Sequence, residues 1–211
     1  MNEENLKHWI NNFENYLGKQ SFDDGSHDIS HFRRVWRLAQ RLSSRDDDKL
    51  VILAACYFHD IVSYPKNDPR RSRSSKDAAS KTRDILTEMN FPEEKLDNVC
   101  HCIESHSYSA NIETKTHEAK IVQDADRMES LGAIGLARTF YVAGRMGSQI
   151  FSSTDPFAKD RELDDSKFAI DHFKTKLLKL PDTMKTVEGK KEAIKRARIL
   201  EVYLEQWREE L

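Results

Sequence analysis

The chain has 211 residues, of which 33% are charged and 38% hydrophobic, with only 7 Gly and 5 Pro and a formal net charge of -2. That balance excludes a collagen-like or low-complexity chain and offers no global basic field for nucleic acid; it suits a helical protein with narrow apolar faces and long solvated ones. No run approaches the roughly 20 apolar residues of a membrane span, and the segment Met1–His8 has no apolar leader core, so the expectation is a soluble, cytoplasmic protein with no membrane partner.

In chain order, Leu6, Trp9, Ile10, Phe13 and Leu17 recur at helical spacing and predict a first helix over about 3–17, ended by Gly18 and a polar loop. A second helix is predicted over 27–42, with His27 and His31 one above the other on a face. After the turn 43–48, with several possible N-caps, comes the apolar run Leu50–Phe58, which ends in His59-Asp60. A run without charge is normally buried, so its end carries an imidazole and a carboxylate into the interior, where they need partners.

A loop with two prolines and the cluster Lys66, Arg70, Arg71 and Arg73 follows. Helices are then predicted over about 75–89 and 93–105, separated by Asn90-Phe-Pro92, and over 116–131 and 133–146. Residues 147–164 read as the longest irregular connection, before two closing helices near 166–180 and 188–211. No repeat and no convincing strand is visible, so the expected architecture is all-α with roughly nine helices. Cys56 lies in the apolar run and Cys100 and Cys102 flank His101. Two positions apart on a helix point about 200° away from each other, so buried thiols are expected rather than a zinc site or a disulfide.

Three features carry chemistry: His31, the pair His59-Asp60, and the acidic pair Asp124/Asp126 on a later helix. Singly, each reads as easily as a helix terminus, a cap or a surface group. Together, two neutral imidazoles and two carboxylates make a mixed nitrogen and oxygen donor set suited to Mn²⁺, Mg²⁺, Fe²⁺, Ni²⁺ or Zn²⁺. The donors lie on helices far apart in sequence, so only a bundle would bring them together.

The order His31, His59-Asp60, Asp126 resembles the HD-domain superfamily of metal-dependent phosphohydrolases, and so do the local contexts His27–Val35, Ala54–Ile61 and Ala125–Met128. The stretches 65–71, 103–107 and 121–135 are similar to a narrower group, the small bacterial stand-alone HD proteins that act as nucleotide pyrophosphohydrolases. The resemblance covers nearly the whole chain. It implies a single domain over 1–211, with a metal-site core at about 22–140 and a C-terminal helical part at about 141–211.

By the same resemblance the metal ligands are His31, His59, Asp60 and Asp126, holding one divalent ion with Mn²⁺ as first choice. Asp124 and His27 are placed behind the ligands. Lys66, Arg70 and Arg71 are expected on substrate phosphates, and His106 is expected as a proton donor or acceptor, or as the group orienting a ligand carboxylate. Glu129, three residues after Asp126, is expected to orient the attacking water. Tyr64, Tyr108 and Phe140 are candidates for base contact. Ser63-Tyr64 replaces the acidic pair of members acting on stringent-response nucleotides, which disfavours that substrate. His106-Ser107 replaces the adjacent histidines of multi-metal members, which favours one ion. The implied activity is hydrolysis of a (deoxy)nucleoside triphosphate to monophosphate and pyrophosphate; a nucleotidase or phosphodiesterase with the same centre, or a non-catalytic nucleotide-binding module, are the alternatives. A small-molecule nucleotide is the expected partner, and the chain is expected to be a monomer or homodimer.

Overall fold

The computed structural model describes residues 3–20, 29–64, 68–108 and 110–211. Among these the chain is all-α: nine α-helices, two short 3-10 segments and, in place of a strand, one isolated bridge between Gln149 and Phe168. No helix among the described residues is long and apolar enough to cross a membrane. The chain gathers into two compact units, Met1–Asp126 and Arg127–Leu211.

The first unit is built from α1 (Glu3–Leu17), α2 (Ile29–Leu42), α3 (Lys49–Phe58), α4 (Ser74–Glu88), α5 (Glu93–His106) and all but the end of α6 (His117–Met128). Its hub is α3, which packs on α1, α2, α4 and α5. Every residue from Leu50 to Phe58 is at most 1% exposed. Each large apolar side chain in that run contributes roughly 1.5–3 kcal/mol by leaving water. The start of α3 is set by Asp48, whose Oδ1 accepts the N–H groups of Leu50 and Val51 at 3.1 and 3.3 Å.

The same residue ties neighbours together. The Asp48 carboxylate pairs with Lys95 on α5, and its backbone N–H donates to Glu118 on α6 at 3.1 Å. Against α1, Phe13 sits edge-on to Phe58 of α3 with ring centres 5.0 Å apart. Between α4 and α5 the chain reverses at Asn90, φ 55°, a left-handed conformation that Asn tolerates, and the Phe91 N–H closes the helix end on the Leu86 carbonyl at 2.9 Å. All three cysteines are buried and none is in a disulfide.

The second unit holds α7 (Gly132–Arg145), α8 (Asp171–Thr175), a 3-10 segment Leu177–Thr183 and the long α9 (Val187–Glu210). α7 packs on α9, with Phe140, Phe173, Tyr203 and Trp207 in one aromatic cluster. Gly135 is obligatory, because a Cβ there would lie 2.2 Å from the Ser130 carbonyl carbon.

One expectation needs correcting: 166–180 is not a continuous helix. The Lys167 carbonyl and the N–H groups of Ala169 and Ile170 are engaged by Gln149 and Ile150, so these residues form turns around an isolated bridge at Phe168 before α8 begins. Lys176, at φ -133°, then separates α8 from the 3-10 segment that contains Pro181. The sixth helix is also shorter than expected, ending at Met128, and Leu131 is extended ahead of α7.

Candidate metal centre

Because α3 is buried on all sides, its C-terminal end lies in the interior, and His59 is fully buried there. The His59 Nδ1–H donates to the Cys56 carbonyl at 3.0 Å. A carbonyl can only accept, so Nδ1 carries a proton, and Nε2, turned toward the centre, is the nitrogen left to take up a cation or a proton. His106 is held in the same way, Nδ1 donating to the Ile103 carbonyl at 2.6 Å.

Around these two nitrogens the other donors converge. His31 Nε2 of α2 lies 3.2 Å from His59 Nε2. Asp126 Oδ1 of α6 is 3.6 Å from His31 Nε2 and 3.5 Å from His59 Nε2. Asp60 places Oδ2 3.5 Å from His59 Nε2 and Oδ1 3.5 Å from His106 Nε2. Two groups share His59: His31/His59/Asp126 and His59/Asp60/His106. The imidazoles are buried and the carboxylates of Asp60 and Asp126 are partly exposed, so the centre opens toward water on its acidic side.

Lone pairs facing lone pairs at about 3.5 Å repel unless a cation lies between them. Metal–ligand bonds of about 2.0–2.2 Å set neighbouring donors roughly 3.0–3.5 Å apart, depending on geometry, which is the spacing seen. The electrostatics show the same demand for positive charge at this point. Burial pushes the His59 imidazole down, but the charge of Asp60 and the hydrogen bond and charge of Asp126 outweigh it and raise it to about 9. Burial also pushes the Asp126 carboxyl up, and the hydrogen bond and charge of His59 hold it well below the usual carboxylate range. The donor set thus fits a divalent metal ion.

Not every candidate joins the cluster. Asp124 is fully buried but belongs to neither group of facing donors among the described residues. Arg70 is exposed, held bidentate by Asp68 and laid over the Tyr64 ring at 4.4 Å. Arg71, also exposed, donates to the Tyr64 carbonyl at 2.7 Å. Glu129 is buried and belongs to the second unit, as does Phe140. Tyr108 is largely exposed. His27 and Lys66 lie outside the described residues. Sequence reasoning missed Gln123, which lies three residues before Asp126 and donates to the Ser105 carbonyl at 2.6 Å, linking α6 to the end of α5 that carries His106. A buried amide one turn ahead of a ligand was its only signal.

A helical chain with a His/carboxylate centre at the end of a buried helix defines a class of helical proteins equipped to hold a divalent metal. The HD-domain family model matches residues 28–131. YpgQ of Bacillus subtilis, an uncharacterised protein, is 30% identical over 169 residues, 78% of this chain and 74% of that one. Its crystal structure in complex with ADP superposes with a TM-score of 0.73 at 27% identity, covering 95% of this chain and 97% of YpgQ. An HD-superfamily hydrolase from Bacillus thuringiensis is 33% identical, with a TM-score of 0.71 and coverage of 99% and 97% of the two chains. The protein belongs to the HD-domain superfamily and is related throughout its length to a hydrolase of that group. HD domains bind divalent metal ions, and the two His/Asp groups are where this chain could hold one.

Proposed function

We propose that this protein hydrolyses nucleotides, converting a (deoxy)nucleoside triphosphate to the monophosphate and pyrophosphate with one divalent ion, Mn²⁺ by preference, held by His31, His59, Asp60 and Asp126. The observation that carries the reading is the convergence of His31, His59, Asp60 and Asp126, with His106 beside them, at one partly open interior site. The ADP complex of the Bacillus subtilis relative supports a nucleotide as ligand. An ion held by these residues would supply a Lewis acid for a phosphoryl oxygen and would lower the pKa of a nearby water.

The chain's own groups do the rest. The two carbonyl-locked imidazoles cannot swing away, so the donors are arranged before substrate arrives. His106, 3.5 Å from Asp60, orients that carboxylate and stands near enough to exchange a proton at the reacting centre. Lys66 and Arg71 supply positive charge to the phosphates. Arg70, partly neutralised by Asp68, contributes less.

The test is incubation with triphosphates, diphosphates and monophosphates of all bases in Mn²⁺, with products followed by ³¹P NMR. Monophosphate and pyrophosphate from triphosphates are expected. Orthophosphate as the only product, or no turnover of any nucleotide, would overturn the reading.

A further inference from the structure

On the far side of α3 from the metal centre, one carboxylate holds two helices. Glu14 of α1 accepts Arg33 Nε on Oε1 at 2.7 Å and Arg33 Nη2 on Oε2 at 2.6 Å, a bidentate pair. Its Oε1 also accepts the Tyr57 hydroxyl at 2.9 Å. Arg33 is two residues after His31 on α2, and Tyr57 is two residues before His59 on α3.

Positions two apart on a helix project about 200° away from each other. Arg33 and Tyr57 therefore leave the sides of α2 and α3 opposite to those from which His31 and His59 meet at 3.2 Å. We propose that Glu14 is a positioning residue for the metal centre. By gripping the backs of α2 and α3 it sets the separation of the two helices, and so the spacing of the imidazoles that face each other on the other side.

The surroundings make the grip stiff. The Glu14 carboxyl is held below its ordinary range, first by its hydrogen bond from Arg33, against a smaller effect of burial and with help from Tyr57. Phe13, next to it in sequence, lies 5.9 Å from the Tyr57 ring and 5.0 Å from the Phe58 ring, so α1 cannot slide along α3 without breaking ring contacts. On the other side, Phe32 stands edge-on to the His59 ring at 5.5 Å, so a shift of α2 is passed directly to that imidazole. Packed aromatic contacts of this kind transmit small displacements rather than absorb them.

The inference rests on the reading that His31 and His59 share a metal ion, and the experiment separates the two. Mn²⁺ affinity is measured by calorimetry, and the visible spectrum of the Co²⁺ form is recorded, for the wild type and for Glu14→Gln, Glu14→Asp, Tyr57→Phe and Leu86→Ala. Leu86 is a fully buried α4 residue outside the network and serves as a control for general loss of stability.

Partners that orient ligands typically affect metal affinity by 10- to 100-fold, and Glu14 acts from one layer further out, so a loss of about 5- to 10-fold is expected for Glu14→Gln. Glu14→Asp should recover part of it. The Co²⁺ spectrum should change in Glu14→Gln and, less strongly, in Tyr57→Phe, but not in Leu86→Ala. If Glu14→Gln does not fold, Tyr57→Phe, which removes one hydrogen bond and little volume, carries the test. Wild-type affinity and spectrum in the Glu14 and Tyr57 variants, or an equal loss in Leu86→Ala, would overturn the proposal. Failure of the wild type to bind either metal would instead overturn the metal reading itself.

Discussion

Two regions of this protein gather wholly or partly buried carboxylates, and they do it in opposite ways. In the second unit Asp171, 1% exposed, is gripped by Arg161 through Nη1 at 2.6 Å and Nη2 at 2.8 Å, and accepts the Asp164 N–H at 2.8 Å. The chain supplies its own cation, and the result is a self-contained brace. At the end of α3, Asp60 and Asp126 face imidazoles, and backbone carbonyls hold two of those rings with Nε2 inward. That arrangement is complete only with a cation from solution. A buried carboxylate beside Arg braces the fold; partly buried carboxylates beside inward-facing imidazole nitrogens make a set of donors that could hold a metal.

The contrast breaks most visibly if His59→Ala keeps its metal. Elemental analysis should show near-complete loss of the ion, turnover of nucleotide should fall by roughly three orders of magnitude, and circular dichroism should show helicity largely kept. Arg161→Met should do the reverse. Leaving Asp171 buried without its cation costs about 3–5 kcal/mol in urea unfolding, while metal content per folded molecule stays at the wild-type level. Metal loss in Arg161→Met would erase the distinction between the two regions.

An intermediate case is Glu14, partly buried and paired with Arg33. Its carboxyl is lowered from 4.5 in the folded protein, so its contribution to stability is present above the unfolded value and is lost as pH falls through the folded one. The stability difference between wild type and Glu14→Gln should be about 1–2 kcal/mol at pH 7 and should shrink steadily from about pH 5 to pH 3. A difference that grows on acidification would mean the pair is not formed. The smallest effect belongs to Arg83–Asp97, a pair with both partners exposed, where Arg83→Gln should change stability by less than about 0.5 kcal/mol.

Much of this was legible in the linear chain. The nine uncharged residues of α3 announce a buried helix, and His59-Asp60 at its end announces an interior site, because burial follows from the absence of any polar face. The caps and breaks around α1, α4 and α5 were readable for the same local reason: Gly18, Asn90 and Pro92 act through their own backbone preferences. The segment 166–180 was misread because its apolar spacing suits a helix, yet Gln149 and Ile150 capture its backbone groups from a distance. His106 could be named as an acid, a base or an orienting group, but that it faces Asp60 at 3.5 Å is a matter of how α5 packs on α3.

What the amino-acid order determined by itself is therefore the inventory: which segments are helical, which helix has no polar face, and which donors are chemically able to meet around a cation. Helical periodicity and side-chain chemistry are local properties, so they survive without coordinates. Tertiary structure alone decided which ring nitrogens face inward, that Gln123 links α6 to α5, and that Glu14 reaches around from α1 to hold Arg33 and Tyr57. Those facts depend on hydrogen bonds between groups remote in sequence, whose partners are chosen by packing and leave no pattern along the chain.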